Sequence, residues 1–281
     1  MQIIKSESIG FCNGVKHTVS QTIKTLSQSQ EQIYCLGEIV HNEYVIKSLK
    51  DKGLIFIEDI KEAPLNSTVI IRAHGEPITT YEIANKNKIK IIDLTCGKVS
   101  TIHRKINNNN DKFIIIIGKP NHPEVKAHLS YAKKGIIISN SKDVSEISSL
   151  SKEDKIYIVA QTTFNENEFN NIVDTIKKEF PNNNIIIENT ICYATHNRQE
   201  EIKKISENAT KMIIIGSKTS SNTIELLNIA QNNCQNTYLI NSKNELSNIT
   251  FNKKDIVGIA SGASTSDETI SEIIELLESD M

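Results

Sequence analysis

The sequence predicts an α/β protein made of three pseudo-threefold-related α/β units, each with a four-stranded, mainly parallel sheet. Three observations predict it. The apolar runs are short, β-branched and bounded by turn residues, which is how strands buried on both faces of a parallel sheet read. Helical patterns lie between most of these runs, as in an alternating α/β chain. The runs also number twelve, and they fall into three sets of four with polar residues at matching stations.

The candidate strands are 2–7, 32–36, 54–57, 68–73, 89–94, 113–118, 135–139, 155–161, 184–190, 211–216, 236–240 and 255–261. Those within 32–94 form one set and those within 113–190 a second. The third set, 211–261, has only three strands and takes 2–7 as its fourth. The units are therefore expected at 13–96, at 97–192, and at 193–281 completed by the N-terminal strand 1–12. After the first strand of each set comes a Gly, with a polar residue four positions on: Gly37 and His41, Gly118 and His122, Gly216 and Ser220. After the third strand comes Ala73-His74, Ala160-Gln161 or Ala260-Ser261, and after the fourth a Cys: Cys96, Cys192 or Cys12. Ligands of open parallel sheets bind beyond the carboxyl ends of the strands. Three units packed around one axis would bring all nine positions to one cavity.

Composition narrows the functions. The 281 residues carry a net charge of -2, 23% charged and 38% hydrophobic residues, which reads as globular. No basic field is available for a nucleic-acid backbone, and with 5% aromatics and no Trp there is little for base stacking. No apolar run reaches the ~20 residues of a membrane span, and the start MQIIKSESIGFCNG lacks a secretory apolar region. A cytoplasmic location with no membrane partner is expected. No GxGxxG or P-loop is present, so neither NAD nor ATP is expected at the site.

The five Cys are an odd number and do not read as a disulfide framework. Cys12, Cys96 and Cys192 lie 84 and 96 residues apart, with no CxxC pair, so only the fold could gather them. Each precedes a helical pattern, and a helix N-terminus favours thiolate. Three converging thiolates call for a metal or cluster with a fourth position open, either catalytic zinc or a cubane iron–sulfur cluster. A lone Cys is more often a small buried apolar residue, and Cys35 and Cys234, beside or within strands, read that way.

Of seven His, His41, His74 and His122 sit in strand-end loops. His17, His103 and His196 fall in or beside helical patterns after the three Cys and read as surface or supporting residues. His128 lies within a helix and carries no claim. Ser220, Ser221 and Asn222 open a helix, where anions bind, although the same residues serve as plain N-caps; Ser264 is a further donor. Three His with these donors suit a diphosphate. Glu124, beside His122, is a carboxyl that a closed pocket could hold at raised pKa for proton delivery. Thr162 and Thr163 follow the third strand of the second set and are placed to relay a proton or bind a hydroxyl.

The segments GFCNGV, GEIVHN, AHG, DLTC, NHPEV, QTT, TICYATHNRQE, GSKTSSNT and GAS, taken in order over nearly the whole chain, resemble the 4-hydroxy-3-methylbut-2-enyl diphosphate reductase family. The resemblance implies three α/β units around a central 4Fe–4S cluster, with Cys12, Cys96 and Cys192 as ligands and one open iron. It implies diphosphate binding by His41, His74, His122, Ser220, Ser221, Asn222 and Ser264. Glu124 matches the family's proton-delivering acid and Thr162 the threonine near the substrate hydroxyl; Thr195 is a weaker match. The implied reaction is reductive dehydroxylation to isopentenyl and dimethylallyl diphosphate, the last step of the non-mevalonate isoprenoid pathway. Its electrons would come from a ferredoxin or flavodoxin-type donor. The departures are Glu43 in HNEYV, Gly97 in TCGKV and Pro77 in AHGEP; Gly97 is expected to loosen the helix start after Cys96. Two rivals are a zinc hydrolase acting on a phosphorylated small molecule and an iron–sulfur redox sensor without turnover.

Overall fold

The computed structural model describes residues 1–147, 150–151 and 153–279. Its strands are β1 (Gln2–Lys5), β2 (Ile33–Leu36), β3 (Ile55–Ile57), β4 (Thr68–Ile71), β5 (Lys90–Asp93), β6 (Phe113–Ile117), β7 (Gly135–Ile138), β8 (Ile156–Ala160), β9 (Ile185–Ile187), β10 (Lys211–Ile215), β11 (Thr237–Ile240) and β12 (Ile256–Ser261). Its helices are α1 (Asn13–Gln28), α2 (Glu43–Asp51), α3 (Ile78–Lys86), α4 (Gly97–Asn108), α5 (Pro123–Ser130), α6 (Glu166–Glu179), α7 (Tyr193–Ser206), α8 (Ser221–Asn233) and α9 (Asp267–Ser279). No helix among the described residues is long and apolar enough to cross a membrane.

All twelve expected strands are present, and they form three four-stranded sheets ordered β3-β2-β4-β5, β7-β6-β8-β9 and β1-β12-β10-β11. Every pairing is parallel. Taken along the chain, each set has one order: second strand, first, third, fourth. The N-terminal β1 fills the fourth place of the third set beside β12, with Gln2 opposite Ile256. After the second strand of each set the chain makes a 3₁₀ turn in place of a helix, at Ile60–Glu62, Ser141–Glu146 and Lys243–Asn248. In the first two, Asp59 and Asn140 close capping boxes with Glu62 and Asp143.

Several strands end earlier than the apolar pattern suggests, β4 and β9 among them. β4 stops at Ile71, and beyond it the Ala73 carbonyl accepts the Cys96 N–H at 3.0 Å. β9 stops at Ile187, and the Thr190 hydroxyl takes over by accepting from Ala160 N–H at 2.7 Å.

The chain packs as two compact units. Unit 1 is Met1–Lys16, Val40–Ser48 and Tyr193–Met281; unit 2 is His17–Ile39 and Leu49–Cys192. Unit 1 holds the sheet of β1, β10, β11 and β12. Ile213 and Ile215 face α9 residues Ile270, Ile273 and Leu277, while Met212 and Ile214 face Ile202 of α7 and Leu226 and Ala230 of α8. Unit 2 holds the other two sheets. There Ile115 and Ile117 meet Phe169 and Ile172 of α6, and Ile114 and Ile116 meet Ile102 and Ile106 of α4 and Val125 of α5. Burial on both faces explains why these strands read as unbroken apolar runs rather than alternating ones. The candidate site residues lie in the loops and helix starts that follow the strands' carboxyl ends.

Candidate functional site

The three cysteines occupy one backbone station. Cys12 N–H donates to the Ala263 carbonyl at 3.1 Å, Cys96 N–H to Ala73 at 3.0 Å, and Cys192 N–H to Thr162 at 2.9 Å. Each acceptor lies two residues past the third strand of its set. Each Cys immediately precedes a helix, α1, α4 or α7. The Cys12 and Cys96 carbonyls accept the opening helical bonds from Lys16 and Ser100, both at 2.9 Å. All three thiols are partly exposed and outside any disulfide, whereas Cys35 and Cys234 are buried in the sheets' cores. Burial pushes the Cys35 thiol up to about 12, so it stays protonated and inert. The donor set is thus sorted by position: three accessible thiols at equivalent helix starts, and two in apolar packing.

In unit 2 the candidate residues form one connected set. His122 caps α5: its Nδ1 accepts the Glu124 N–H at 3.2 Å, and Pro123 stands at the first helical position, where its missing N–H costs nothing. Because Nδ1 accepts, the neutral ring carries its proton on Nε2. The His122 ring meets that of His74 edge to face, with centroids 5.2 Å apart, and His74 follows Ala73, whose carbonyl holds Cys96. Glu124 is 2% exposed. Its Oε1 accepts the Thr162 N–H at 2.6 Å and its Oε2 the Thr162 hydroxyl at 2.8 Å. The Thr162 carbonyl in turn holds Cys192. From Cys96 to Cys192, the path runs through His74, His122, Glu124 and Thr162.

The charge state of Glu124 reverses the sequence expectation of a raised pKa. Burial does push the carboxyl up. The His128 ring, with Nε2 3.4 Å away, the His122 ring and the Thr162 N–H together outweigh it and bring the group down to about 2. At rest Glu124 is a carboxylate.

Unit 1 gathers the remaining candidates. Ser264 follows Ala263, the acceptor for Cys12; its hydroxyl lies 3.5 Å from the His41 carbonyl, and its own carbonyl accepts from Asn42 Nδ2 at 2.9 Å. Asn42 Oδ1 caps α2 through the N–H groups of Tyr44 and Val45. Ser220 caps α8, its hydroxyl accepting Thr223 N–H at 3.3 Å, and Ser221 begins the helix. Asn222 is 5% exposed, yet neither its Nδ2 nor its Oδ1 has a partner. A buried amide with both ends unpaired is costly unless a ligand completes it. Gly216, at φ +151, lies against Thr223, and a Cβ on Gly262 would overlap the Thr223 hydroxyl, so the backbone closes tightly around this helix start.

Thr163 stays at the unit 2 site, where its hydroxyl accepts from Gln161 Nε2 at 2.9 Å, and Thr195 is buried in α7. The departures leave their helices whole. α4 starts at Gly97 with its Cys96–Ser100 bond made, so the expected loosening does not occur; Pro77 caps α3, and Glu43 lies in the first turn of α2. His103, expected as a surface or supporting residue, is 6% exposed and packs against His128; His128, which carried no claim, is 0% exposed and lies beside Glu124. The signal for His128 was its place four residues after Glu124, which puts both on one helix face. Asn42 escaped the sequence reading, and Gln161 entered it only as a repeat station. Gln161 is fully buried and its Oε1 accepts Lys119 N–H at 3.0 Å.

Comparison with known proteins places this geometry among relatives. The family model described as LytB protein matches residues 3–278. The 4-hydroxy-3-methylbut-2-enyl diphosphate reductases of Francisella tularensis subsp. holarctica and Francisella philomiragia subsp. philomiragia are each 32% identical over 280 residues, 98% of this chain and 88% of theirs. The solved structure of the E-1-hydroxy-2-methyl-but-2-enyl-4-diphosphate reductase from Plasmodium falciparum matches with a TM-score of 0.90 at 32% identity, covering 98% of this chain and 87% of that one. A second, of (E)-4-hydroxy-3-methyl-but-2-enyl diphosphate reductase, the terminal enzyme of the non-mevalonate pathway, matches with a TM-score of 0.71 at 36% identity over 99% of both chains.

Proposed function

The chain belongs to the LytB protein family, and we propose that it reductively removes the allylic hydroxyl of 4-hydroxy-3-methylbut-2-enyl diphosphate to give isopentenyl and dimethylallyl diphosphate. The names carried by its relatives support the reaction. The observation that carries it in this chain is the connected set from Cys96 through His74, His122, Glu124 and Thr162 to Cys192.

Cys12, Cys96 and Cys192 would hold the prosthetic group. Three accessible thiols at equivalent helix starts, with no fourth at a matching station, fit a 4Fe–4S cluster. When bound, that cluster would supply two electrons one at a time and offer an open iron as Lewis acid to the substrate hydroxyl. The electrons would enter from a one-electron protein donor of the ferredoxin or flavodoxin type, in the cytoplasm.

The protein's own residues bind, orient and protonate. His41, His74, His122, Ser220, Ser221, Asn222 and Ser264 would hold the diphosphate through N–H and O–H donors, with the N-terminus of α8 adding its unpaired amides. The unpaired buried amide of Asn222 supports that role. The balance is one substrate, two electrons and two protons to one alkene diphosphate and one water: the allylic C–O bond breaks and a C–H bond forms. Glu124 gives the proton that lets the hydroxyl leave as water. Because it rests as a carboxylate, it must take up a proton before each delivery. Thr162 keeps the carboxylate oriented through two hydrogen bonds and stands where the hydroxyl would approach.

Glu124→Gln tests this assignment. It preserves size and leaves an amide facing Thr162, so cluster content and substrate binding should persist while kcat falls by about 10²–10⁴, the usual worth of a positioned acid. Turnover at the wild-type rate would remove Glu124 from the reaction.

A further inference from the structure

The loop that carries Cys12 is held differently from the loops of Cys96 and Cys192. Three residues before those two cysteines stand Asp93 and Asn189, and each side chain closes a local turn. Asp93 Oδ1 accepts the Thr95 N–H at 2.9 Å, and Asn189 Oδ1 accepts the Ile191 N–H at 3.0 Å. Such turns fix a loop from within. The matching place before Cys12 is Ile9, whose side chain has no acceptor and packs into the core of unit 1. Gly10, next along, sits at φ +80, in the left-handed region that glycine enters at least cost.

Helix α7 supplies the restraint that Ile9 cannot. Glu201 takes the start of the loop. Its Oε2 accepts the Ser6 hydroxyl at 2.5 Å and the Ser8 N–H at 2.9 Å, and its Oε1 accepts the Ser8 hydroxyl at 2.6 Å. Arg198, three residues earlier and so on the same helix face, takes the end. Its Nη2 donates to the Gly10 carbonyl at 2.7 Å, and its Nη1 to the Ala194 carbonyl at 3.3 Å. The Gly10 N–H donates to the Ser261 hydroxyl at 2.8 Å. Both backbone groups of the residue two places before Cys12 are thereby held.

Packing alone does not explain a guanidinium at this place, since a buried charge is costly. Arg198 is 4% exposed, and these two bonds end on neutral carbonyls, which orient its charge without cancelling it. The carboxylates nearby are Glu201, partly exposed, and Asp267, which is exposed and lies against Gly10. Water screens both more than it screens Arg198.

We propose that Arg198 and Glu201 are positioning residues for Cys12, and that the buried charge of Arg198 favours the reduced state of the group that Cys12 holds. The proposal rests on the reading of Cys12 as a cluster ligand. Reduction adds one electron to a site bearing three thiolates, and a fixed cation nearby offsets the added charge. No bond is made or broken at Arg198, which acts through the Cys12 loop.

The test is a reductive titration of the full-length, iron-loaded protein, followed by electron paramagnetic resonance. Arg198→Gln removes the charge, and Arg198→Lys keeps it without the planar fork. At the wild-type midpoint, the ratio of reduced to oxidised cluster in Arg198→Gln should be about tenfold lower, a shift of about 59 mV to lower potential for a one-electron couple. Arg198→Lys should stay within about twofold of wild type; a packing defect would move both alike. In the metal-free full-length chain, a thiol reagent should reach Cys12 about threefold faster or more in Arg198→Gln and in Glu201→Gln, with Cys96 unchanged. A wild-type potential in Arg198→Gln, equal shifts in the two Arg198 variants, or wild-type labelling of Cys12 in both Gln variants would overturn the proposal. If Arg198→Gln holds no iron, the potential of Arg198→Lys and the labelling decide, and a shifted potential there or unchanged labelling overturns it. Cys12→Ala separates the proposal from the reading beneath it. Full iron content in that variant would overturn both; iron loss there, with wild-type potential and labelling in the Arg198 variants, would overturn the positioning role alone.

Discussion

Glu124 shows how one residue's chemistry is set by contacts from distant sequence. Thr162, 38 positions away, supplies two hydrogen bonds, and the His128 ring, one turn on, brings Nε2 to 3.4 Å from the carboxylate. The sign of its pH dependence follows. Its folded pKa lies below the ordinary glutamate value of 4.5, near 2. Its stabilising share is therefore complete above the unfolded pKa and is lost as pH falls from about 4.5 toward 2. Acid unfolding of Glu124→Gln should lack that part of the slope; an acid limb identical to wild type would contradict the ionised state. The cysteines give a second residue-scale test. In metal-free protein, a thiol reagent should modify Cys12, Cys96 and Cys192 and spare buried Cys35 and Cys234, and labelling of Cys35 in the native state would contradict its burial. Cys192→Ser should abolish cluster assembly, and a normal iron content would refute its role. The cysteines stood out as candidates because they recur at repeat stations, and Glu124 only through the family resemblance. The states of the site residues were not legible: the ionisation of Glu124 and the unpaired amide of Asn222 depend on contacts that spacing does not encode.

At the scale of elements, the strands were legible because a strand buried on both faces must be apolar throughout, and Ile-rich runs such as 113–117 leave no alternative. Their ends were less so: beyond β4 and β9 the backbone bonds pass to the Ala73 carbonyl and the Thr190 hydroxyl, which an apolar pattern does not mark. The 3₁₀ turns after each second strand were missed because three to six residues hold too little periodicity to show. The loop after β4 offers a test. Gly75 sits at φ +72, and a Cβ there would approach His103 Cε1 to 2.8 Å and Thr95 to 3.2 Å. Gly75→Ala should cost about 1–2 kcal/mol from the left-handed backbone alone, lowering Tm by roughly 2–4 °C per kcal/mol. An unchanged Tm would show that the loop relaxes freely.

At the scale of the molecule, the repeat is the organising fact. Three sheets share one strand order, and the chain's first strand completes the third. The matching polar stations made this readable, because a loop that binds something must place its donors at fixed offsets from a strand end, whatever the rest of the unit becomes. We propose 13–96, 97–192, and 193–281 with 1–12 as the repeat units; residues 148–149, 152 and 280–281 lie outside the described structure. The same stations carry residues that we assign to the cluster and the diphosphate. That joint assignment separates a reductase from a zinc hydrolase, which would hold zinc, and from a redox sensor, which would hold a cluster without turning substrate over. The measurement that decides is made on protein purified without oxygen: iron, sulfide and zinc per chain, then conversion of the allylic diphosphate with a chemical reductant. About four irons per chain, as a cubane cluster requires, with C5 alkene diphosphates formed, is the expected result; zinc in place of iron, or a full cluster with no product, would contradict it.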